Sequence, residues 1–597
     1  MLDSARRPML ALIMAMAAAS AFGQAAAVPS FDLVVQAPGD LRELLERNLE
    51  LRRYREVADL DDAELSRLIV LAERDARQLL GTRGYFSPKI DITRDTAGER
   101  PRILMAVDPG TPTVIAGVDL AFEGDIATST DADAVEQREG IRSGWGLQPG
   151  RPFTQEAWDG AKRQALRALT ARRYPTGHID DSAADIDAAT NRGALGLRLN
   201  SGPLYRLGPL QVTGVEKYDP VLVPRFAQLR PGSIYERDEL VQAQLRLTGS
   251  GYFDSAFIAL DPEGNPAAAP VQVQVKEAPL QRLTFGIGVS TDSGVRASVE
   301  HTHNRLPVVG WRTVTKLNLN RKTPLAQFET TSIPNEDLWR WSALARAERI
   351  EDEGLLTQGE RLRVGRFKSW GGIDRNYYLQ YDTARARPIG GGTLAPEEIG
   401  TGSALSANYV WTGRYFNDDV APTSGYGVTA ELGGGVTLAG DNAPFLRPMV
   451  HGVYYRPMQE GRLQLRGELG AVFARQSARL PATQMFRTGG DTTVRGYGFQ
   501  QIGVDLPNGR VGPGRYLAST SVEWQRPIRR HGAVTPFESM VFVDAGAVAN
   551  RVGDLHPRVG AGVGARWRSP VGPLEVALAY GFQPRKLRLH FNVGVTF

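Results

Sequence analysis

The chain has 597 residues, 42% of them hydrophobic, with 65 glycines and no cysteine. This length exceeds one ordinary domain, and the lack of cysteine excludes disulfides and cysteine-ligated metals. A formal net charge of +4 at pH 7, with no basic run interleaved with aromatic residues, does not favour nucleic acid as a partner. No stretch of about 18 apolar residues follows the N-terminus, so we expect no transmembrane helix.

The N-terminus has the pattern of a secretory signal. Arg6 and Arg7 are followed by an apolar run over residues 9–21 and by small residues that suit a cleavage site. The apolar run is too short to cross a bilayer as a helix. We therefore expect residues 1–27 to be a signal peptide.

The front half of the chain carries a weak repeat. Gly84-Tyr85-Phe86 is echoed by Arg173-Tyr174-Pro175 and by Gly251-Tyr252-Phe253, each after a helical pattern and before alternating residues. A repeat on this scale indicates an array of small modules. We predict three α+β modules with the order strand, helix, helix, strand, strand, at residues 28–111, 112–202 and 203–278.

Helical patterns within the modules support this division. Asp61 followed by Glu64 predicts a capped helix in the first module. The adjacent acids Asp61 and Asp62 resemble a catalytic pair, but their place at a helix start favours capping. Helices are also predicted over residues 153–173 and 240–247.

From Leu283 onward the pattern alternates with a period of two. In the last strand, apolar residues from Leu587 to Phe597 alternate with Arg588, His590, Asn592, Gly594 and Thr596. Such a strand suits lipid on one face and a polar lumen on the other, although a sandwich strand facing a core has the same period. At roughly 20 residues per strand, residues 279–597 predict an antiparallel transmembrane β-barrel of about 16 strands. A soluble β-propeller is the alternative, but no blade-length repeat is visible.

A glycine-rich stretch with few strand signals contains Val494-Arg495-Gly496-Tyr497. Considered without other motifs, the arginine of this stretch is interpreted as a solvated charge in a loop. Two later strands, however, place Glu523 and Asp544 opposite the residues expected to face lipid. A carboxylate in a barrel lumen needs a partner, and an arginine on an inserted loop supplies a charge-assisted one.

These motifs, together with residues 560–574, resemble a superfamily of outer-membrane barrels with periplasmic POTRA modules that includes BamA, TamA and the two-partner secretion transporters. The resemblance covers nearly the whole mature chain. It implies that Val494, Arg495, Gly496 and Tyr497 form the anchor of an extracellular loop folded into the lumen. It also implies that Glu523 and Asp544 are the partners of the anchor, and that the modules lie in the periplasm.

Three modules favour a TamA-like protein within that superfamily. Its implied role is to assemble autotransporters and other outer-membrane proteins, with an inner-membrane partner resembling TamB. We expect unfolded clients to be templated at a lateral seam between the first and last barrel strands, where glycine weakens pairing. The predicted seam residues are Gly286, Gly288, Gly594 and Phe597.

Two other functions stay open: a two-partner-type secretion pore for an unfolded exoprotein, and a structural barrel or porin. We expect no enzyme activity, cofactor or metal site. Gly560, Gly562 and Gly564 lack the helix that follows a nucleotide loop, and crowding inside a barrel strand explains them better. His301 and His303 have no further histidine near in sequence to complete a metal site.

Overall fold

The computed structural model describes residues 30–57, 60–98, 100–352, 354–418, 421–569 and 572–596. The predicted signal peptide and Phe597 lie outside these residues. Among the described helices, none is both long and apolar enough to cross a membrane. The chain divides into two compact units: Met1–Gln211 with Leu229–Val241 and Ala259–Gln272, and Val212–Gln228 with Gln242–Ile258 and Val273–Phe597.

The first module packs helices on a three-stranded sheet in the order β1-β3-β2. Asp61 caps its long helix as predicted, because its carboxylate accepts a hydrogen bond from the Glu64 amide at 2.7 Å. The Glu64 side chain pairs with Arg67. The elements are β1 Asp32–Gln36, α1 Asp40–Asn48, a 3-10 helix Glu50–Glu56, α2 Asp62–Thr82, β2 Lys89–Asp95 and β3 Arg102–Asp108.

The second and third modules repeat this layout, with sheets in the orders β4-β6-β5 and β7-β9-β8. A short additional helix, α3, follows the first strand of the second module. Its elements are β4 Val114–Glu123, α3 Asp125–Thr128, α4 Ala132–Ser143, α5 Gln155–Ala171, β5 His178–Asp187 and β6 Arg192–Asn200. Those of the third are β7 Leu207–Thr213, α6 Leu222–Ala227, α7 Arg237–Gly249, β8 Phe253–Leu260 and β9 Ala269–Glu277.

The second module has a hydrophobic core of its own. Helix α5 presents an apolar stripe to the buried face of β6, since residues three and four apart lie on one side of a helix. Full burial of one large apolar side chain contributes about 1.5 to 3 kcal/mol. The stripe and the strand residues it meets are Trp158, Ala161, Ala165, Leu169, Leu195, Leu197 and Leu199.

In the described residues, sixteen antiparallel strands close a barrel, with β20 and β21 forming one strand interrupted at Val472. The predicted fold is confirmed. The first half comprises β10 Gln281–Ser290, β11 Gly294–His303, β12 Arg312–Asn320, β13 Leu325–Thr331, β14 Arg340–Glu351, β15 Leu355–Trp370, β16 Ile373–Pro388 and β17 Gly402–Phe416.

The second half comprises β18 Gly425–Thr437, β19 Pro444–Met458, β20 Gly461–Ala471, β21 Phe473–Ala474, β24 Tyr516–Arg530, β25 Ala533–Ala549, β26 Arg558–Ser569, β27 Gly572–Gly581 and β28 Lys586–Thr596. A short helix, α8 Pro396–Ile399, connects β16 to β17. A hairpin of β22 Val504–Leu506 and β23 Arg510–Gly512 lies within the long connection after β21.

The outer face of the barrel carries an aromatic belt toward the strand ends that are level with the start of β10. Tyr377 stacks on Tyr409 with ring centroids 4.7 Å apart, and Phe537 stacks on Trp567 at 5.8 Å. All four rings are on strands that also expose aliphatic side chains, such as Leu379, Val541 and Val563. Aromatic girdles of this kind mark the bilayer interface of outer-membrane barrels.

We predict that residues 29–278 fold as a soluble fragment. Leu169→Ala leaves a cavity in the second core, so it should lower the free energy of unfolding by about 2 to 5 kcal/mol. Arg167→Ala, an exposed position on the same helix, is the matched control and should change it by less than about 0.5 kcal/mol. Urea unfolding followed by circular dichroism measures both. A fragment without a cooperative transition would contradict the prediction.

Candidate functional site: the lumenal anchor and the barrel seam

The connection at residues 475–515, which we call the lumenal loop, leaves the wall after β21 and returns at β24. Its residues Val494 to Tyr497 are all buried. Glu523 on β24 and Asp544 on β25 are 2% and 0% exposed. Their strand neighbours Val522 and Val543 are exposed on the outer face, so the two carboxylates point into the lumen.

The structure brings Arg495 together with both acids. The guanidinium forms a bidentate pair with Asp544, with Nε donating to Oδ2 at 2.8 Å and Nη2 to Oδ1 at 3.0 Å. Nη1 donates to Glu523 Oε2 at 2.7 Å. The backbone amide of Arg495 also donates to Asp544 Oδ2, at 3.0 Å. Charge-assisted, bidentate bonds of this type are both strong and directional.

Further groups surround this ion cluster. The guanidinium carbon of Arg495 lies 3.3 Å from the centroid of the Phe542 ring, a cation–π contact. Glu523 Oε1 accepts from Gln525 Nε2 at 2.6 Å and from Arg566 Nη2 at 3.5 Å. Arg566 in turn donates to Glu575 at 2.9 Å. The cluster therefore joins the loop to strands β24, β25, β26 and β27.

Small residues in the wall make room for the loop backbone. A Cβ added to Gly560 would lie 1.9 Å from the carbonyl oxygen of Arg495, and one added to Gly581 would lie 2.5 Å from that of Gly496. Gly496 itself has a φ of 94°, which favours glycine. The crowding expected around Gly560 thus comes from the inserted loop.

A second cluster lies beside the anchor. The Gly496 amide donates to Nε2 of His590 on β28 at 2.8 Å, and His590 Nδ1 faces Asp491 Oδ1 at 2.6 Å. Asp491 also bonds the turn between β10 and β11, through Thr291 and Asp292. Sequence reasoning missed these residues. The available signal was a histidine on the polar face of the last strand.

Asp292, Asp491 and His590 place possible ligand atoms within 4.8 Å of one another. Both ring nitrogens of His590 are already bonded within the protein, so we assign the cluster to hydrogen bonding. Burial, reinforced by the facing charge of Asp491, raises the pKa of Asp292 to about 6, although the Asp491 amide donates to this carboxylate.

The barrel closes where β10 pairs with β28. The described register runs from Gly286 opposite Thr596, through Gly288 opposite Gly594, to Ser290 opposite Asn592. This ladder is shorter than that of β15 with β16, two strands of 16 residues each that pair along their full length. A Cβ added to Gly288 would lie 2.6 Å from the Val593 carbonyl oxygen. The seam role of these residues stays a prediction.

Comparison with known proteins supports the class that this fold defines. The Omp85 superfamily domain matches residues 346–597. The chain is 27% identical over 412 residues to the outer membrane protein assembly factor BamA of Nitratidesulfovibrio vulgaris, covering 65% of this chain and 50% of the relative. It is 25% identical over 379 residues to a SAM50-like protein of Schizosaccharomyces pombe, covering 58% of this chain and 77% of the relative.

A solved structure shows the same fold. The crystal structure of BamA from Haemophilus ducreyi lacking POTRA domains 1-3 matches with a TM-score of 0.60 and 16% identity, covering 81% of this chain and all of that one. Residues 346–597 thus match an Omp85 superfamily domain, and the chain is similar to outer-membrane proteins of the BamA/TamA type that have periplasmic POTRA modules. It spans half the length of the N. vulgaris relative.

We predict that Arg495→Ala lowers the free energy of unfolding of the barrel by about 3 to 5 kcal/mol, because it leaves buried carboxylates unpaired. Loss of the heat-modifiable electrophoretic band in rising urea measures this. Arg475→Ala, an exposed arginine of the same loop, is the control. Combining Arg495→Met with Glu523→Gln and Asp544→Asn removes the charges together and should recover part of the loss. Equal unfolding of the Arg495→Ala and control variants would refute the anchor role.

Proposed function

We propose that this protein is an outer-membrane assembly factor that inserts autotransporters and other β-barrel clients by templating their strands at the seam between β10 and β28. The short closing ladder is the observation that carries the proposal. Parting it exposes fewer backbone groups than parting a long pair such as β15 with β16. The wall is therefore easiest to open at the seam.

The energetic reason for templating lies in the backbone of the client. Each unpaired N–H or C=O group costs several kcal/mol in the hydrocarbon core of a bilayer. A client strand that pairs with an exposed edge of β10 or β28 satisfies its backbone hydrogen bonds before it contacts lipid. This mode of pairing is strand addition to a sheet edge. The protein then lowers the free-energy barrier to insertion of the client into the bilayer without catalysing a covalent step.

The modules supply the proposed periplasmic contacts. Each sheet has two edge strands, for example β1 and β2 in the first module and β4 and β5 in the second, and such edges accept an added strand. Three modules of this order favour a TamA-like role with an inner-membrane partner resembling TamB. Co-purification of such a partner with the intact chain, lost when residues 29–278 are deleted, tests this part of the proposal.

A disulfide across the seam tests lateral opening. Val289 lies opposite Val593, and facing residues of antiparallel strands have Cα atoms about 4.5 to 5.5 Å apart, within disulfide reach. In a chain without cysteine, Val289→Cys with Val593→Cys should block client assembly when oxidised and restore it when reduced. The control pair is Val541→Cys with Val563→Cys, which face each other on β25 and β26.

The readout is the amount of folded client in the outer membrane. Full assembly by the oxidised seam pair would refute lateral templating and favour the alternative, a two-partner-type secretion pore that moves an unfolded exoprotein through the lumen. Deletion of the protein separates the two functions further. An assembly factor loses proteins from the outer membrane, whereas a secretion pore loses proteins from the medium.

A further inference from the structure

Four side chains meet where the Ser290 end of the seam reaches the lumenal loop. We call them the seam latch: Thr291 and Asp292 of the β10–β11 turn, Asp491 of the loop and His590 of β28. The Asp491 carboxylate lies at the centre. Its Oδ1 accepts from Thr291 Oγ1 at 2.6 Å and contacts His590 Nδ1 at 2.6 Å. Its Oδ2 accepts from the Asp292 amide at 3.2 Å.

The hydrogen-bond roles of His590 follow from its two partners. The Gly496 amide can only donate, so Nε2 of His590 must be the acceptor of that bond. The proton of the neutral ring then lies on Nδ1 and is donated to Asp491. Neutral His590 therefore bridges the loop backbone at Gly496 and the loop carboxylate at Asp491.

The latch extends the backbone pairing of the seam by one residue. Thr291 follows the last seam pair of Ser290 with Asn592. Its amide donates to the Phe591 carbonyl at 3.1 Å, and its hydroxyl accepts from the Phe591 amide at 3.3 Å. The Asp491 amide also donates to Asp292 Oδ2 at 2.7 Å. One loop residue is thus bonded to the strands on both sides of the seam.

The two sides of the latch are held unequally. Arg495 fixes the loop four residues beyond Asp491 through its buried pairs with Glu523 and Asp544. The Gly496–His590 bond adds a second tie between the loop and β28. The β10–β11 turn is held to the loop by Thr291 and Asp292. When the seam parts, the bonds of these two residues are the ones that must break.

We propose that Asp491 holds the β10–β11 hairpin against β28, and that release of its bonds to Thr291 and Asp292 is the first step by which the seam opens. This inference rests on the lateral opening proposed above. It assigns Asp491 as a positioning residue that sets how often the edge of β10 becomes available. The loop stays with β28 in this step.

Two facing carboxylates make the latch sensitive to pH. Burial and the charge of Asp491 raise the pKa of Asp292 to about 6. When a contact raises the pKa of a carboxyl group, the protonated form of that group stabilises the contact. The stabilisation is complete at a pH below the ordinary pKa and is lost as the pH rises through the raised pKa. The latch is therefore tighter at about pH 5 than at about pH 7.5.

Other charged groups near the pair set its electrostatic background. Arg588 of β28 approaches Gly498 of the loop, and Arg296 of β11 lines a cavity together with Ser293. The cavity next to Asp491 is lined by Arg466, Arg495, Glu523, Arg566, Glu575 and His590. Of all these groups, Asp491 and His590 act most directly on Asp292.

Hydrogen–deuterium exchange on the full chain in lipid nanodiscs tests the latch without any client. Asp491→Ala removes the side-chain acceptors, so the seam amides of β10 should exchange about tenfold faster, while those of β15 to β17 stay unchanged. Thr492→Ala is the matched control, because its side chain is exposed and lies one residue away. The heat-modifiable band confirms that each variant is folded.

Asp292→Asn provides the opposite change. Asparagine keeps an acceptor for the Asp491 amide and removes the charge that opposes Asp491. The variant should exchange more slowly than wild type at about pH 7.5, and its exchange, corrected for intrinsic amide chemistry, should lose the dependence on pH between about 5 and 7.5. If Asp491 acted only as a structural contact, Asp292→Asn would leave the pH dependence of seam exchange unchanged.

Three results would overturn the latch: seam exchange in Asp491→Ala equal to that in Thr492→Ala, faster exchange spread evenly over all strands, or an unchanged pH profile in Asp292→Asn. None of these bears on whether clients pair with the seam. Conversely, full client assembly by the oxidised seam disulfide would refute templating and leave the exchange results standing. The two proposals therefore fail separately.

Discussion

The buried charge of Arg495 is the constraint on which the lumen depends. An arginine that is 2% exposed is stable only where carboxylates and hydrogen bonds replace its water, because desolvation of each ion costs several kcal/mol. The carboxylates of Asp544 and Glu523 take the place of water around the guanidinium. Both carboxylates are buried as well and need the positive charge of the arginine as their partner. The loop therefore has one low-energy position in the barrel, and every other contact that it makes is set by this position.

The wall is adapted to the loop in the same way. Gly560 and Gly581 leave space for the loop backbone that any Cβ would fill, and Phe542 offers a ring face to the guanidinium. The loop is bonded to β24, β25 and β28 on one side of the seam, and it meets the hairpin next to the seam on the other side through its bonds to the β10–β11 turn. In the proposed opening, an anchor on one side and a small set of bonds on the other define where the seam is released.

Sequence reasoning reached the parts of this arrangement that are periodic or local. The alternation of Leu283, Phe285 and Ile287 identified barrel strands, and Asp61 identified a helix start, since both signals lie within a few residues. The motif around Arg495 was recognisable through a resemblance to a known superfamily. The approach of Arg495 to Glu523 and Asp544 was expected because lumenal acids need partners.

The latch was not predictable by the same means. Asp491 is 200 residues from Thr291 and 99 residues from His590 in the sequence. An aspartate that follows two glycines in a loop also has the pattern of an ordinary turn. The requirement for glycine at Gly560 likewise depends on a backbone from another part of the chain. Periodicity determines which face a residue lies on, whereas closure of the barrel and insertion of the loop determine what it meets there.

A closed barrel normally gains stability by removing every sheet edge, and in this chain the edges of β10 and β28 are joined by a short described ladder. Along β15 and β16 the ladder is long, so parting them would leave many backbone groups unpaired in lipid. At the seam the ladder is short and glycine faces glycine, so side-chain bonds take a larger share of the closing energy. Side-chain bonds that include titratable groups can be tuned by single substitutions or by pH, which backbone ladders cannot. The proposed closure by Asp491, rather than by added strand length, is thus compatible with both an intact wall at rest and an edge that can be exposed.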